Sequence, residues 1–163
     1  MDGSRLGARA LLGTVGAALA VAGPVMVLRG RGGRKEIRAE LTAQKITFPE
    51  RGLPVELAAY AGRRVQTGPD AHAYARFIKG NLTQATGGRT YAEITTELHA
   101  AGGDDEKLAR LRQTAFMGQS LRASLMSAYQ AWQLTALATG LGAALTGLGA
   151  ALVVTAGARP PRS

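Results

Sequence analysis

The chain has no cysteine, which excludes disulfides, thiolate metal ligands and thiol nucleophiles. Histidine is nearly as scarce, with His72 and His99 the only two. An iron site of the two-histidine, one-carboxylate kind would need both of them. Aromatic residues make up 5% of the sequence, with a single tryptophan. The arginines therefore lack the interleaved rings on which nucleic-acid bases stack, and no nucleic-acid partner is expected. Acidic residues are also few, 11 against 20 Lys and Arg, for a formal net charge of +9. No phosphate loop, Ser-His-Asp pattern or metal-ligand cluster is present, so no catalytic residue, cofactor or metal is assigned.

What the chain does have is two long uncharged stretches, Ala10 to Leu28 and about Ala123 to Ala158, around a polar middle. About 20 mainly apolar residues of helix cover the ~30 Å hydrocarbon core of a bilayer. The expected fold is an all-α membrane protein, two transmembrane helices flanking a small, mainly helical module with at most one or two short strands. The expected divisions are a cytoplasmic N-terminus at 1–9, a first span at 10–28 and a module at 29–122. A long helix that includes the second span follows at 123–158, then a cytoplasmic tail at 159–163. Arg5 and Arg9 ahead of an apolar run ending in Ala20-Val21-Ala22 also suit a cleaved signal peptide. The apolar run continues through Pro24-Val25-Met26-Val27-Leu28, which favours an uncleaved anchor.

Four cations, Arg29, Arg31, Arg34 and Lys35, follow the first span where anionic headgroups would meet them, at about 1 kcal/mol each. Small residues recur every four positions in both apolar stretches. They are Ala10, Thr14, Ala18 and Ala22 in the first, and Thr135, Thr139, Ala143, Gly147, Ala151 and Thr155 in the second. Such spacing predicts a helix-packing face, either between the two spans or in a homo-oligomer or with a membrane-protein partner. Tyr129 and Trp132, with Arg122 reaching toward water, are expected to mark the bilayer interface.

Within the middle segment, Lys45-Ile46-Thr47-Phe48 and Arg64-Val65-Gln66 have strand-like composition, and the residues between them read as turns. Pro69 suits the first turn of a helix running to about Thr86. Its apolar stripe is Ala71, Tyr74, Ala75, Ile78, Leu82 and Ala85, with His72, Arg76, Lys79 and Thr83 facing away. Gly87-Gly88 stop it. Thr90-Tyr91-Ala92-Glu93 is a capping box that opens a helix to about Ala101. Asp104, Asp105 and Glu106 start a last helix with no proline before Pro160. Phe48, Tyr60, Tyr74, Phe77 and Tyr91 are expected to form the module's small core. Asn81-Leu82-Thr83 fits a glycosylation sequon without other support.

Several short motifs occur in order: Lys45-Ile46-Thr47-Phe48-Pro49, Tyr60-Ala61-Gly62, Thr67-Gly68-Pro69, Gly87-Gly88-Arg89-Thr90-Tyr91-Ala92-Glu93 and Leu121-Arg122-Ala123-Ser124-Leu125. In these the chain resembles, over about Leu41 to Ala138, a family of small actinobacterial two-span membrane proteins. Its members often carry the automatic name "aromatic ring-opening dioxygenase". The resemblance implies architecture rather than activity, and it implies that the module lies outside the cytoplasmic membrane. The charge pattern leans the other way. Arg29, Arg31, Arg34, Lys35, Arg38 and Arg122 flank the spans on the module side, against Arg5, Arg9, Arg159 and Arg162 on the side of the termini. Long loops translocate largely regardless of charge, so the external placement that the resemblance implies is preferred.

The expected function is a non-catalytic, accessory or interaction role in the cell envelope, with the lipid bilayer as one partner. An enzyme subunit and an anionic-lipid sensor are the alternatives.

Overall fold

A computed structural model describes residues 2–158. The expected tail at 159–163, with Arg159 and Arg162, lies outside the described residues, as does the side chain of Arg5. Four α-helices carry the described residues: α1 Asp2–Ala43, α2 Gly68–Thr86, α3 Tyr91–Ala100 and α4 Glu106–Gly157. A short 3-10 helix, Val55–Tyr60, precedes α2. The described chain is all-helical, and α1 and α4 are long and apolar enough to cross a membrane. It divides into two compact units. One draws on residues up to Glu36 and from Gln133 onward; the other is Ile37–Trp132.

In the first unit, α1 and α4 run antiparallel along a seam of small residues. A methyl group placed on Gly13 would lie 3.7 Å from Ala156 Cβ at one end, and one placed on Gly33 would lie 3.2 Å from Thr135 Cγ2 at the other. Between these ends Gly16 meets Gly149 and Leu152, Gly23 meets Gly142 and Thr146, and Gly30 meets Thr135 and Thr139. Helix α1 passes unbroken through Pro24 and through the glycines at 30, 32 and 33. A helical glycine costs about 1 kcal/mol relative to alanine in water. At Gly30 that cost is offset by an approach to α4 that a side chain would prevent: a methyl there would overlap Thr139 Oγ1 and sit 2.9 Å from the Thr135 carbonyl oxygen.

The second unit has a compact apolar core of Leu41, Phe48, Leu57, Val65, Ala71, Ala75 and Leu125, with Ala73 beside them. Phe48 is its hub. Its ring centroid lies 5.1 Å from that of Tyr60 and 4.9 Å, edge-on, from that of Tyr74. The two strand-like segments form no sheet. They meet in one isolated antiparallel bridge, Thr47 with Arg64, held by Phe48 N–H to the Arg63 carbonyl at 2.9 Å and Val65 N–H to the Ile46 carbonyl at 2.9 Å.

Local signals set the helix ends. Both α2 and α3 open on a capping box, Thr67 with Asp70 and Thr90 with Glu93. In α2 the first box is tied further into the fold. The Asp70 carboxylate, 2% exposed, accepts from Thr67 Oγ1 at 2.7 Å, Thr67 N–H at 3.0 Å and Arg63 Nη2 at 2.9 Å. Helix α2 ends with Gly87 in the left-handed region, and Gly88 N–H returns to the Thr83 carbonyl at 2.9 Å. At the start of α4, Asp105 accepts from Leu108 N–H at 2.9 Å.

Candidate functional site

The basic cluster Arg29, Arg31, Arg34 and Lys35 is helical, since α1 continues through it. Arg29, Arg31 and Lys35 are exposed, and Arg34 is half-buried. At about 100° per residue, Arg31 and Lys35 lie on the arc of α1 roughly opposite Gly30 and Gly33 on the seam, whereas Arg34 falls only about 40° from Gly30. Arg31 and Lys35 therefore point away from α4, toward where an anionic surface would lie.

The small-residue stripe of α4, expected to pack either on α1 or on another chain, lies mostly off the intramolecular seam. Of Thr139, Ala143, Gly147 and Ala151, only Thr139 lies on the intramolecular seam. The other three are exposed, and a methyl on Gly147 would have nothing within 4 Å. The seam instead runs through Thr135, Thr139, Gly142, Thr146 and Gly149. On α1 it uses Gly16, Ala20, Gly23, Val27 and Gly30 rather than Ala10, Thr14, Ala18 and Ala22. The reason is periodicity. Steps of four advance ~400° and drift ~40° round the helix each time, whereas alternating steps of three and four hold a face. Gly16, Gly23 and Gly30 are spaced by seven, as are Gly142 and Gly149, the repeat of left-handed helix pairs.

Hydroxyls within the apolar stretches turn back on their own helix. Thr14 donates to the Ala10 carbonyl at 2.9 Å, Thr139 to Thr135 at 2.8 Å, Thr146 to Gly142 at 2.8 Å and Thr155 to Ala151 at 2.8 Å.

Each of the three predicted interface anchors has a place in the second unit. Trp132 lies against Gly68 at the start of α2, where a methyl would sit 2.5 Å from Trp132 Cβ. Tyr129 stacks on His72, centroids 4.5 Å apart and planes 16° from parallel. His72 is thus half-buried between α2 and α4, not on an outward face as its position in the stripe suggested. Arg122, also half-buried, lines a basic pocket described below.

An apolar groove of about 510 Å³ opens between α2 and α4, lined chiefly by Tyr74, Phe77, Ile78, Leu82, Met117 and Leu121. Phe48, Tyr60, Tyr74 and Phe77 belong to the core or pack on it. Tyr91 does not. It is 40% exposed and pairs with Phe116, centroids 5.9 Å apart.

Several of the module's acidic groups hold caps and ion pairs. Glu93 receives Thr90 N–H at 2.7 Å and Thr90 Oγ1 at 2.8 Å. Those donors, the backbone amide foremost, with Arg89 nearby, hold its carboxyl below the usual glutamate value. Glu97 pairs with Arg89 at 2.7 Å and Glu106 with Arg110 at 3.0 Å. Among the described residues, no three His, Cys, Asp or Glu side chains gather as a metal centre would require. His99 is exposed in the last turn of α3. No protein family, curated protein or solved structure matches the chain.

Proposed function

We propose that this is a two-span membrane protein of the cell envelope whose helical module serves a non-catalytic, accessory or interaction role on the extracytoplasmic side. The observation that carries the membrane reading is the exposure of α1 and α4. Their most apolar windows are only 11% buried. Leu11, Val21, Leu28, Leu134, Leu137 and Val154 are each at least 66% exposed. In water so much exposed apolar surface favours aggregation; in a bilayer it is ordinary lipid contact. The self-satisfied hydroxyls and the small-residue seam fit the same solvent, where polar groups must be paired internally and helices approach through glycine.

Support for a non-catalytic role comes from the use of the polar groups. Asp70, Glu93, Glu97 and Asp105 are occupied with caps and ion pairs that hold the module together. The experiment is alkaline-carbonate extraction, followed by impermeant-maleimide labelling of a single cysteine at Asp104, exposed in the turn between α3 and α4. Retention in the membrane with labelling of intact cells supports the proposal. Release by carbonate removes the membrane reading, and labelling only after lysis puts the module inside.

A second reading, an anionic-lipid sensor, is favoured by the exposed Arg29, Arg31 and Lys35 on one continuous helix. Replacing all three with Gln should then abolish binding to acidic liposomes while leaving insertion intact; unchanged binding removes it.

A further inference from the structure

Three cations from three segments of the second unit line one pocket: Lys79 on α2, Arg89 in the turn after it, and Arg122 on α4. The pocket has a volume of about 180 Å³ and is also lined by Thr83, Thr86, Thr90 and Gln119. No carboxylate lines it. It shares Leu82 with the apolar groove but otherwise has a different, polar lining, and Leu82 packs against Gly118 of the groove, a methyl there falling 3.0 Å from Leu82 Cδ1.

Like charges brought together on a small module repel one another unless something compensates them. Arg89 is compensated: it donates Nη1 to Glu97 at 2.7 Å and Nε to the Thr86 carbonyl at 2.9 Å. Among the described residues, Lys79 and Arg122 have no hydrogen-bonding or ion-pair partner for their side chains. A second observation points the same way. Thr83, Thr95, Thr96 and Thr114 each donate to the carbonyl four residues earlier in their helix. Thr86, 2% exposed, does not, and its hydroxyl makes no hydrogen bond within the described chain. The site does not depend on the start of α3, which Thr90 and Glu93 already cap.

We propose that this pocket binds the phosphate group of a phosphate-bearing ligand, with Lys79 and Arg122 as its cationic walls, Arg89 at its rim and the Thr86 hydroxyl as a neutral donor. A phosphate monoester carries about −1.5 to −2 charge and three acceptor oxygens. That matches two uncompensated cations and several donors approaching from different segments. A carboxylate offers one charge and two oxygens in a plane, and would leave part of this arrangement unsatisfied. The same chemistry is presented by a free phosphate compound and by a phospholipid headgroup.

The test uses the full chain and does not depend on the membrane proposal. In nonionic detergent, inorganic phosphate is titrated against chloride of equal ionic strength, read from the amide resonances of residues 86–90 in the unaltered protein. A parallel arm uses nanodiscs of phosphatidylcholine with and without phosphatidic acid. The variants are Lys79→Gln with Arg122→Gln, and, as a control, Arg29→Gln with Arg31→Gln and Lys35→Gln. Saturable shifts with phosphate, weakened about tenfold or more by the pocket variant and untouched by the control, are expected, because charge-assisted hydrogen bonds are lost. Saturable shifts only with phosphatidic acid, with the same dependence on the variants, assign the site to a lipid headgroup. Shifts no different from those with chloride in both arms overturn the proposal. So does loss of binding in the control variant with retention in the pocket variant. The reading from the unaltered protein stands even where the pocket variant fails to fold.

Discussion

Two glycines five residues apart on α4 differ only in what faces them, which makes alanine substitution a controlled test of the seam. A methyl on Gly142 would lie 2.6 Å from the Gly23 carbonyl oxygen, 2.9 Å from Val27 N and 3.0 Å from Met26 Cβ; one on Gly147 would meet nothing within 4 Å. Ordinary contacts of this kind begin near 3.4 Å, so Gly142→Ala falls short by most of an ångström against the backbone of α1, which cannot rotate aside. The helices must separate locally, and a gap of ~0.5–1 Å forfeits a quarter to a half of each dispersion contact beside it. Overpacking of this kind costs about 1–3 kcal/mol. Gly147→Ala should be neutral or stabilising by up to ~1 kcal/mol through helix propensity. Fluorophores on cysteines placed at Gly7 and Gly157, both open positions in a chain with no native cysteine, would report helix separation by energy transfer as SDS is added. The unfolding midpoint should drop clearly for Gly142→Ala and hold or rise for Gly147→Ala. Equal shifts in the two variants would refute the placement of the seam.

Three further outcomes concern the module. Asp70→Asn removes the buried charge that receives Arg63 and the Thr67 donors and should cost about 2 kcal/mol, seen as a lower thermal midpoint; an unchanged midpoint would show that the box is dispensable. Phe48→Ala empties the hub between Tyr60 and Tyr74 and should cost about 3–5 kcal/mol, measured by denaturant unfolding of the near-ultraviolet signal. Because folding lowers the Glu93 pKa, its ionised form stabilises α3 above the ordinary value of 4.5. That contribution is lost as pH falls through the lower folded value. Glu93→Gln should therefore weaken the module at neutral pH and converge with the unaltered protein in acid; a constant difference across that window would contradict the linkage.

The features legible in the sequence were those set by near neighbours. Thr90 with Glu93, the Gly87-Gly88 stop and the uninterrupted last helix all follow from residues within a few positions, and the structure has each of them. Thr67 with Asp70 has the same spacing but carries Asp where Glu or Gln is usual, so only Pro69 stood out. The 3-10 turn at Val55–Tyr60 was hidden among prolines and glycines that read as irregular chain. The two strand-like segments carried the composition of strands but no sign of their pairing, and the structure joins them by a single bridge, too short for a ladder.

The helix seam was masked by composition. In stretches so rich in alanine and glycine, a period of four can be found on any face, and the seven-residue spacing of Gly16, Gly23 and Gly30 does not stand out until the partner helix is present. His72 was misplaced for a related reason: the stripe on α2 gives the side toward the core but not the second contact made by Tyr129. The basic pocket was beyond reach, because Lys79, Arg89 and Arg122 come together only through the packing of α2 on α4.

The central claim is that α1 and α4 pair antiparallel within a bilayer through the small-residue seam. Gly13→Cys with Ala156→Cys tests it most directly, since a methyl on Gly13 would stand 3.7 Å from Ala156 Cβ, within the range a disulfide needs. In carbonate-washed membranes treated with oxidant, the account predicts a rapid cross-link within one chain, seen as a faster-migrating monomer that reducing agent reverses. A pair of Gly13→Cys with Gly147→Cys should stay unlinked. Absence of the first cross-link, or its appearance only between chains, would contradict the account.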